Sequence, residues 1–439
     1  MTRWLSPRVW HLAWPLILSN ITVPLLGLVD AAVLGHLPSP VYLAAVALGG
    51  QLFTTLFWLF GFLRMGTSGL SAQAFGGGRE VDAARLLWRG MGLGALLGCL
   101  LILTGPLLIP AGLAALQAEG AVLDEAGRYA SVRLWGAPWV MVQYACMGWL
   151  VGRQRMRAVM GVAILANSVN VVLDLILVLG LGMTTAGVAL ATVVADICGT
   201  LLALHATWRA LPGHPRLARP WKQLLDMEPV RELIRVNQHL FVRTALLLFT
   251  FGFFNAQSAR LGDVTLAANA ILLTGLLVIS NALDGFAHAA EALSGEAAGR
   301  QDPAAIRNAA VATGRSALTV AVLLTLLFAA GGDTLISLLT SLPDVRQTAL
   351  DALPWLICLP LVGVWSYWFD GLFVGLGWTA RMRTTLVIAT LGVFLPLWWL
   401  TRGWGNPGLW LSLTAFLAAR GAIQATYWLQ FSTQPLNKS

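Results

Sequence analysis

Two aspartates of this sequence lie inside long apolar runs, where a charged group is costly. Asp30 lies late in the first run, and Asp174 lies well inside the fifth. An ionised carboxylate at the centre of a bilayer costs at least about 2.5–3.5 kcal/mol on insertion scales. Because burial favours the protonated form of a carboxyl group, we expect such a group to load and release a proton as its surroundings change.

Polar residues accompany Asp174 at helical spacing. Asn167 and Asn170 precede it by seven and four residues, which places all three side chains on one face of a helix. The next apolar run adds Thr192 and Asp196, one helical turn apart. Together these residues predict a polar pocket in the first half of the chain.

Two prolines, Pro15 and Pro24, lie in the first apolar run ahead of Asp30. A proline inside a helix removes one backbone hydrogen bond and bends the helix axis. We therefore expect the first helix to bend, which frees backbone carbonyls and gives the helix room to move.

A second group of polar residues follows one face of a helix in the other half of the chain. Asn281, Asp284, His288 and Glu291 are separated by intervals of three, four and three residues. Four such groups aligned on one membrane helix indicate a relay, a substrate-facing wall or the lining of a water-filled cavity.

Two further charged residues, Arg243 and Asp370, lie inside apolar runs of the same half. Both are candidates for buried charge in the substrate cleft or relay, and Arg243 is suited to neutralise one of the acids there. We predict no metal site, because the four cysteines lie singly, without the paired spacing of metal sites.

Enzymatic chemistry is not expected. The chain has only two lysines, Lys222 and Lys438, and neither ends a glycine-rich phosphate loop. It also contains neither a His-Glu-x-x-His zinc pattern nor a Gly-x-Ser-x-Gly nucleophile elbow. The sequence therefore predicts no catalytic residue and no cofactor.

Composition identifies the elements that must position these residues. Hydrophobic residues make up 57% of the 439 positions and charged residues 11%, against roughly a quarter charged in soluble domains. A backbone inside a bilayer must satisfy its own hydrogen bonds, which favours helices. We therefore predict an all-α polytopic membrane protein of about twelve transmembrane helices. The expected spans are residues 9–34, 43–75, 86–110, 126–150, 158–180, 185–208, 237–257, 264–295, 305–330, 350–376, 384–401 and 407–431.

Basic residues concentrate in every second connection between these spans. The connections in between contain only five arginines, namely Arg128, Arg133, Arg260, Arg346 and Arg402. By the positive-inside rule, both termini and the basic connections face the cytoplasm. The excess of 28 basic over 20 acidic residues is thereby explained without a nucleic-acid partner.

The chain contains an internal repeat. Residues 43–48 (LAAVAL) resemble residues 266–271 (LAANAI), and the same offset of 223 relates residues 72–76 to residues 295–299. We predict an N-terminal lobe of six helices (1–210), a cytoplasmic connection (211–236) and a C-terminal lobe of six helices (237–439).

Six spans in each half give the two lobes the same orientation, as in transporters built from parallel repeats, although duplication could also enlarge a passive scaffold. The substrate pathway of such transporters lies between the halves.

Several segments resemble the multidrug and toxic compound extrusion family of transporters, and within it the DinF-like branch. They are WPLILSN at 14–20, VD at 29–30, LGHL at 34–37, LAANA at 266–270, LDGFAHAAEAL at 283–293 and DGLFVG at 370–375. The resemblance implies two six-helix bundles around a central cleft in the bacterial cytoplasmic (inner) membrane. It further implies that lipophilic, often cationic small molecules are expelled against protons or sodium.

Carried over to this sequence, the ion-coupling residues of the family correspond to Asp30, Asn170, Asp174, Thr192 and Tyr129. The eighth span contains a polar stripe, formed by Asn281, Asp284, His288 and Glu291. This stripe does not clearly reproduce the carboxylate cluster of some sodium-coupled relatives, so protons are the favoured coupling ion. A sodium-coupled antiporter, a lipid-linked oligosaccharide flippase of the same general fold and a membrane-embedded enzyme remain alternatives. A flippase would need a strongly basic cavity, and an enzyme a tight acid, base or metal cluster. Besides the transported compounds, we expect only membrane lipids as partners.

The basic connections predict that Pro215→Cys and Ser439→Cys are labelled only from the cytoplasmic side, in a background without native cysteines. Labelling of intact cells with a membrane-impermeant maleimide measures this. Asp263→Cys, in a connection poor in basic residues, is the control that should be labelled from outside. External labelling at position 215 or 439 would contradict the topology.

Overall fold

A computed structural model describes residues 6–35, 37, 39–211 and 227–432, with the backbone alone at 21–26, 28, 31 and 227. These residues contain helices and turns and no β-strand. They form twelve long helical segments, α1 to α12 in chain order. The segments are α1 Pro7–Gly35, α2 Pro40–Gly76, α3 Glu80–Ala115, α4 at 120–152, α5 Met156–Gly180, α6 Thr185–Ala210, α7 Met227–Arg260, α8 Asp263–Gly299, α9 Pro303–Leu339, α10 Pro343–Gly375, α11 Thr379–Trp404 and α12 Asn406–Ser432.

The predicted spans are confirmed as helices. Each lies within one segment, except that the tenth extends by one residue, Leu376, beyond α10. Within the described residues, nine helices are long and apolar enough to cross a membrane. The segment α4 is not among these nine, and its first half carries Glu125, Arg128 and Arg133. The chain is therefore a multi-pass α-helical membrane protein.

The helices form two compact units that differ from the predicted lobes at their boundaries. One unit is Leu18–Asn237, and the other joins Met1–Ile17 to Gln238–Ser439. The start of α1 belongs to the second unit because it packs on α8. There the rings of Trp10 and Phe286 meet edge to face, with centroids 5.2 Å apart.

The predicted connection at 211–236 is shorter than expected. Residues 227–236 are helical and form the start of α7, while residues 212–226 lie outside the described part of the chain. Labelling at position 215 therefore still tests a connection between helices.

The backbone repeats with the offset found in the sequence. Left-handed residues, with positive φ, occur in pairs at 78 and 301, at 154 and 377, and at 182 and 405. All three pairs are 223 residues apart (301 − 78, 377 − 154 and 405 − 182). The helices α1–α6 and α7–α12 are thus two copies of one six-helix arrangement.

Small residues bring α8 and α10 into close contact in the second unit. A Cβ atom at Gly371 would collide with the backbone of Ala287, and one at Gly375 would collide with the Glu291 carbonyl. Small residues at such positions let membrane helices pack backbone to backbone. The packing places the polar stripe of α8 beside the helix that carries Asp370.

Two helices of the first unit depart from regular α-geometry directly after a charged residue. In α4, the 3₁₀ turn Leu134–Gly136 follows Arg133, and in α5 the π-helical turn Leu175–Gly180 follows Asp174. Such irregular turns change the direction of neighbouring side chains and are frequent at functional sites. They help to aim both charged groups into the unit Leu18–Asn237.

Candidate functional site

Two carboxyl groups meet in the unit Leu18–Asn237. The side chain of Asp30 on α1 lies within hydrogen-bonding range of the side chain of Asp174 on α5. Asp174 is fully buried. Within the described residues, the Oδ1 atom of each aspartate is buried and has no other hydrogen-bond partner.

This contact requires a proton. An ionised carboxylate only accepts hydrogen bonds, whereas a protonated one also donates. Two ionised carboxylates at this separation repel each other, and like charges sharing one site favour protonation of one of them. The Asp30–Asp174 contact is therefore satisfied when the pair holds one proton.

An amide and a hydroxyl-bearing residue support Asp174. In the orientation that satisfies both ends of its amide, Asn170 donates through Nδ2 to Asp174 Oδ2 at 3.1 Å. Its Oδ1 atom accepts from the backbone N–H of Thr192 at 3.1 Å. The Thr192 hydroxyl donates to the Val188 carbonyl on its own helix at 2.9 Å. Residues of α5 and α6 thus fix the position of one member of the pair.

Tyr129 on α4 completes the group. Its ring packs directly on Gly49 of α2, where no side chain would fit. It lies close enough to Asp30 and Asp174 to interact with their charges. The structure therefore brings all five predicted ion-coupling residues together, although their role in coupling stays a prediction.

An ion pair lies beside this group, and only one of its members, Asp196, was predicted to be part of the polar pocket. Arg133 Nη1 lies 2.7 Å from Asp196 Oδ2, and their side chains are 9% and 18% exposed. The arginine was counted among the charges of a connection, which is wrong, because it is buried inside α4. The available signal was spacing, since Arg133 follows Tyr129 by one turn and Asp196 follows Thr192 by one turn.

In the second unit, Asp370 is compensated by two guanidinium groups. It forms ion pairs with Arg243 of α7 and, at 2.8 Å, with Arg420 of α12. Gln424 donates to its other oxygen at 2.7 Å. Asp370 is 5% exposed and Arg420 is 2% exposed. The sequence singled out neither Arg420 nor Gln424 as partners, although they are one turn apart on an otherwise apolar helix.

One member of the stripe on α8, Asp284, shares a neighbour with Asp370, because both interact with the charge of Tyr367. Glu291 is buried and lies 2.9 Å from His288 Nδ1. Asp284 lies within charge-interaction range of Tyr367, whose hydroxyl is 2.5 Å from the Ser280 hydroxyl. The role of Asn281, Asp284, His288 and Glu291 as a relay or substrate-facing wall stays a prediction.

The first helix is continuous through both prolines. Pro15 and Pro24 lie within α1, which is one helical segment from Pro7 to Gly35. The side chain of Pro24 lies outside the described part of the structure. Bending of this helix stays a prediction.

The repeat does not duplicate the aspartate site. At the offset of 223, Asn170, Asp174 and Thr192 correspond to Val393, Leu397 and Ala415. These three counterparts are apolar and cannot hold a proton or bind an ion through their side chains. The carboxyl pair is therefore specific to the first unit.

Comparison with known proteins places the chain among transporters. The family model described as MatE matches residues 15–176 and 240–400, one segment in each half. The DNA damage-inducible protein F of Escherichia coli K12 is 41% identical over 425 residues, covering 96% of this chain and 91% of that protein.

More distant relatives are described as multidrug resistance proteins. A probable multidrug resistance protein NorM of Bradyrhizobium diazoefficiens is 29% identical, covering 92% of this chain and 89% of that protein. The outward-facing structure of a multidrug resistance MATE family transporter superposes with a TM-score of 0.84 at 18% identity. That superposition covers 97% of this chain and 95% of that structure, and it shows a shared fold.

We expect Asp370→Asn to destabilise the second unit, because it removes the negative charge that pairs with the buried Arg420 at 2.8 Å. Breaking a buried ion pair from one side costs about 3 kcal/mol or more. Thermal unfolding of the purified protein in detergent measures the loss. The control is Asp351→Asn on the same helix, where the exposed carboxylate accepts only from Gln347. Equal stability of the two variants would contradict a structural role for this ion-pair network.

Proposed function

This chain belongs to the MatE family, and we propose that it is a secondary active antiporter that exports lipophilic, cationic small molecules in exchange for protons. Members of this family are multi-pass membrane transporters and not enzymes. Relatives described as multidrug resistance proteins support efflux of drug-like compounds. We further propose a location in the bacterial cytoplasmic membrane, with both termini on the cytoplasmic side.

The contact between Asp30 and Asp174 carries this proposal. The two carboxyl groups come from helices far apart in the sequence and meet where a proton is needed to join them. Loss of the proton leaves two like charges in contact, which favours their separation. The protonation state of one pair thus biases the position of α1 relative to α5.

Exchange between proton and substrate follows from mutually exclusive binding. Antiport requires a negative coupling, in which each ligand weakens the binding of the other. With Asp30, Asp174 and Asp196 ionised and Arg133 charged, these four side chains carry two excess negative charges (three minus one), which attract a cation. A proton on the aspartate pair lowers that excess and weakens the attraction.

The membrane potential adds to the driving force. A proton that crosses the membrane through this site gains about 2.3 kcal/mol per 100 mV in addition to the pH gradient. A carboxyl pair inside a membrane helix bundle can respond to both the pH gradient and the membrane potential, because its charge changes within the electric field across the membrane.

The buried charges of the second unit favour a different role. Asp370 already has two guanidinium partners and an amide donor, so its protonation would remove the negative charge with which both guanidinium groups pair. We therefore assign ion coupling to the first unit and leave substrate contact as the proposed role of Asp284 and its neighbours on α8.

We expect Asp30→Asn and Asp174→Asn each to lower proton-driven efflux by about tenfold or more, because the remaining carboxyl group no longer has a second carboxylate to repel when it loses its proton. Binding of a fluorescent lipophilic cation such as ethidium should persist and depend less on pH. Purified variants in liposomes with an imposed pH gradient measure efflux, and fluorescence anisotropy in detergent measures binding.

The control is Asp82→Asn, which removes an exposed carboxylate of α3 paired only loosely with Arg85 at 3.5 Å. It should transport like the wild type. Normal proton-driven efflux by both site variants would refute the assignment of the site. Wild-type efflux driven by a sodium gradient and not by a proton gradient would instead establish the sodium-coupled alternative.

A further inference from the structure

We propose that Arg133 and Asp196 are positioning residues whose opposite charges cancel next to the Asp30–Asp174 pair, so that neither charge shifts the pH at which the pair exchanges its proton. This inference rests on the proposed function, since it concerns the same site. Tyr129 interacts with the charges of both the ion pair and the aspartate pair, so the two pairs lie on either side of one phenol.

The ion pair is built into the packing of the first unit. The Arg133 guanidinium lies over the rings of Phe53 and Phe57, 5.7 and 5.0 Å from their centroids. A Cβ atom at Gly136 would collide with Arg133 Nη1 and approach Asp196 Oδ2 to 3.2 Å. The glycine in the 3₁₀ turn of α4 therefore makes room for this contact.

The pair is connected to the aspartate site through both of its helices. On α4, Arg133 follows Tyr129 by one turn, and Tyr129 interacts with the charges of Arg133, Asp30, Asp196 and Asp174 alike. On α6, Asp196 lies one turn after the threonine that supports the site. Any net charge left at this position therefore acts directly on the proton pair.

The other charged and titratable groups near the ion pair come from α1, α2, α4 and α5. Asp30 of α1 and Asp174 of α5 interact, like the ion pair, with Tyr129. Tyr144 of α4 interacts with both members of the ion pair and also with Arg64 of α2. The phenols stay neutral in the physiological range, so Arg133, Asp196 and the more remote Arg64 are the fixed charges near the site.

The two members of the ion pair have opposite effects when separated. An arginine is always charged, and a lone positive charge favours the ionised form of nearby carboxyl groups. A lone negative charge favours the protonated form. Together they cancel, so the aspartate pair exchanges its proton as though neither charge were present.

A purely structural role predicts a different pattern. If the pair only held α4 against α6, loss of either partner would loosen the unit in the same way. The sign of the change in protonation therefore separates the two roles, and stability alone does not.

The experiment is an infrared titration of the purified protein in detergent. The band of protonated carboxyl groups that disappears in Asp30→Asn reports the pair, and its pH midpoint is measured without any substrate. We expect Asp196→Asn to move this midpoint down by about one pH unit and Arg133→Gln to move it up by about the same amount. The double variant should return close to the wild-type midpoint.

Two further variants serve as controls. Arg128→Gln removes an exposed guanidinium that directly precedes Tyr129 in the sequence and pairs with Glu125 at 2.8 Å, and it should leave the midpoint unchanged. Arg133→Lys keeps the charge and should restore the wild-type midpoint even where its thermal stability is lower. This second variant keeps the test valid if Arg133→Gln folds poorly.

The outcomes distinguish the inference from the proposed function. Equal midpoints in the wild type, Asp196→Asn and Arg133→Gln, or shifts of the same sign, would overturn the inference and leave proton exchange at the aspartate pair intact. The absence of any protonated band that depends on Asp30 would overturn both, because the pair would then hold no proton.

Discussion

The contact between the carboxyl groups of Asp30 and Asp174 is the interaction on which the proposed function of this protein depends. Asp30 and Asp174 meet in a helical membrane unit, where an isolated carboxylate is costly and two adjacent ones are costlier still. When one of the two carboxylates binds a proton, the repulsion between them is replaced by a hydrogen bond from the protonated carboxyl group to the carboxylate. The amide of Asn170, the helix that carries Thr192 and the ring of Tyr129 hold the pair in place, and the continuous helix α1 carries one of its members.

The two halves of the chain share one backbone arrangement but differ in their buried charged side chains. Left-handed turns recur at a constant offset of 223, yet apolar side chains stand in the second half where the first has Asn170, Asp174 and Thr192. In that half, Asp370 is neutralised by Arg243 and Arg420. A compensated carboxylate stabilises packing, whereas an uncompensated pair responds to pH, so we propose that the network in the second half is fixed and that the pair in the first half is sensitive to protons.

Much of this arrangement could be predicted from the sequence. The twelve helices followed from the length of the apolar runs, and the shared face of Asn170 and Asp174 followed from helical spacing. The partners of Asp370 could not be predicted, because they lie 127 and 50 residues away on α7 and α12. Arg133 was misplaced because a 3₁₀ turn directly after it keeps the charged start of α4 helical and buries the guanidinium. The division of α1 between two units depends on packing against α8, which no local pattern encodes.

The most direct measurement of the central claim is proton release on substrate binding. Ethidium is added to the purified protein in weakly buffered detergent solution, below the pH at which the aspartate pair loses its proton, and the pH change is recorded. We expect the wild type to release about one proton for each bound cation, because proton and substrate weaken each other's binding in an antiporter. We expect no release from Asp30→Asn at the same occupancy. Binding without proton release by the wild type, or equal release by both proteins, would contradict the central claim.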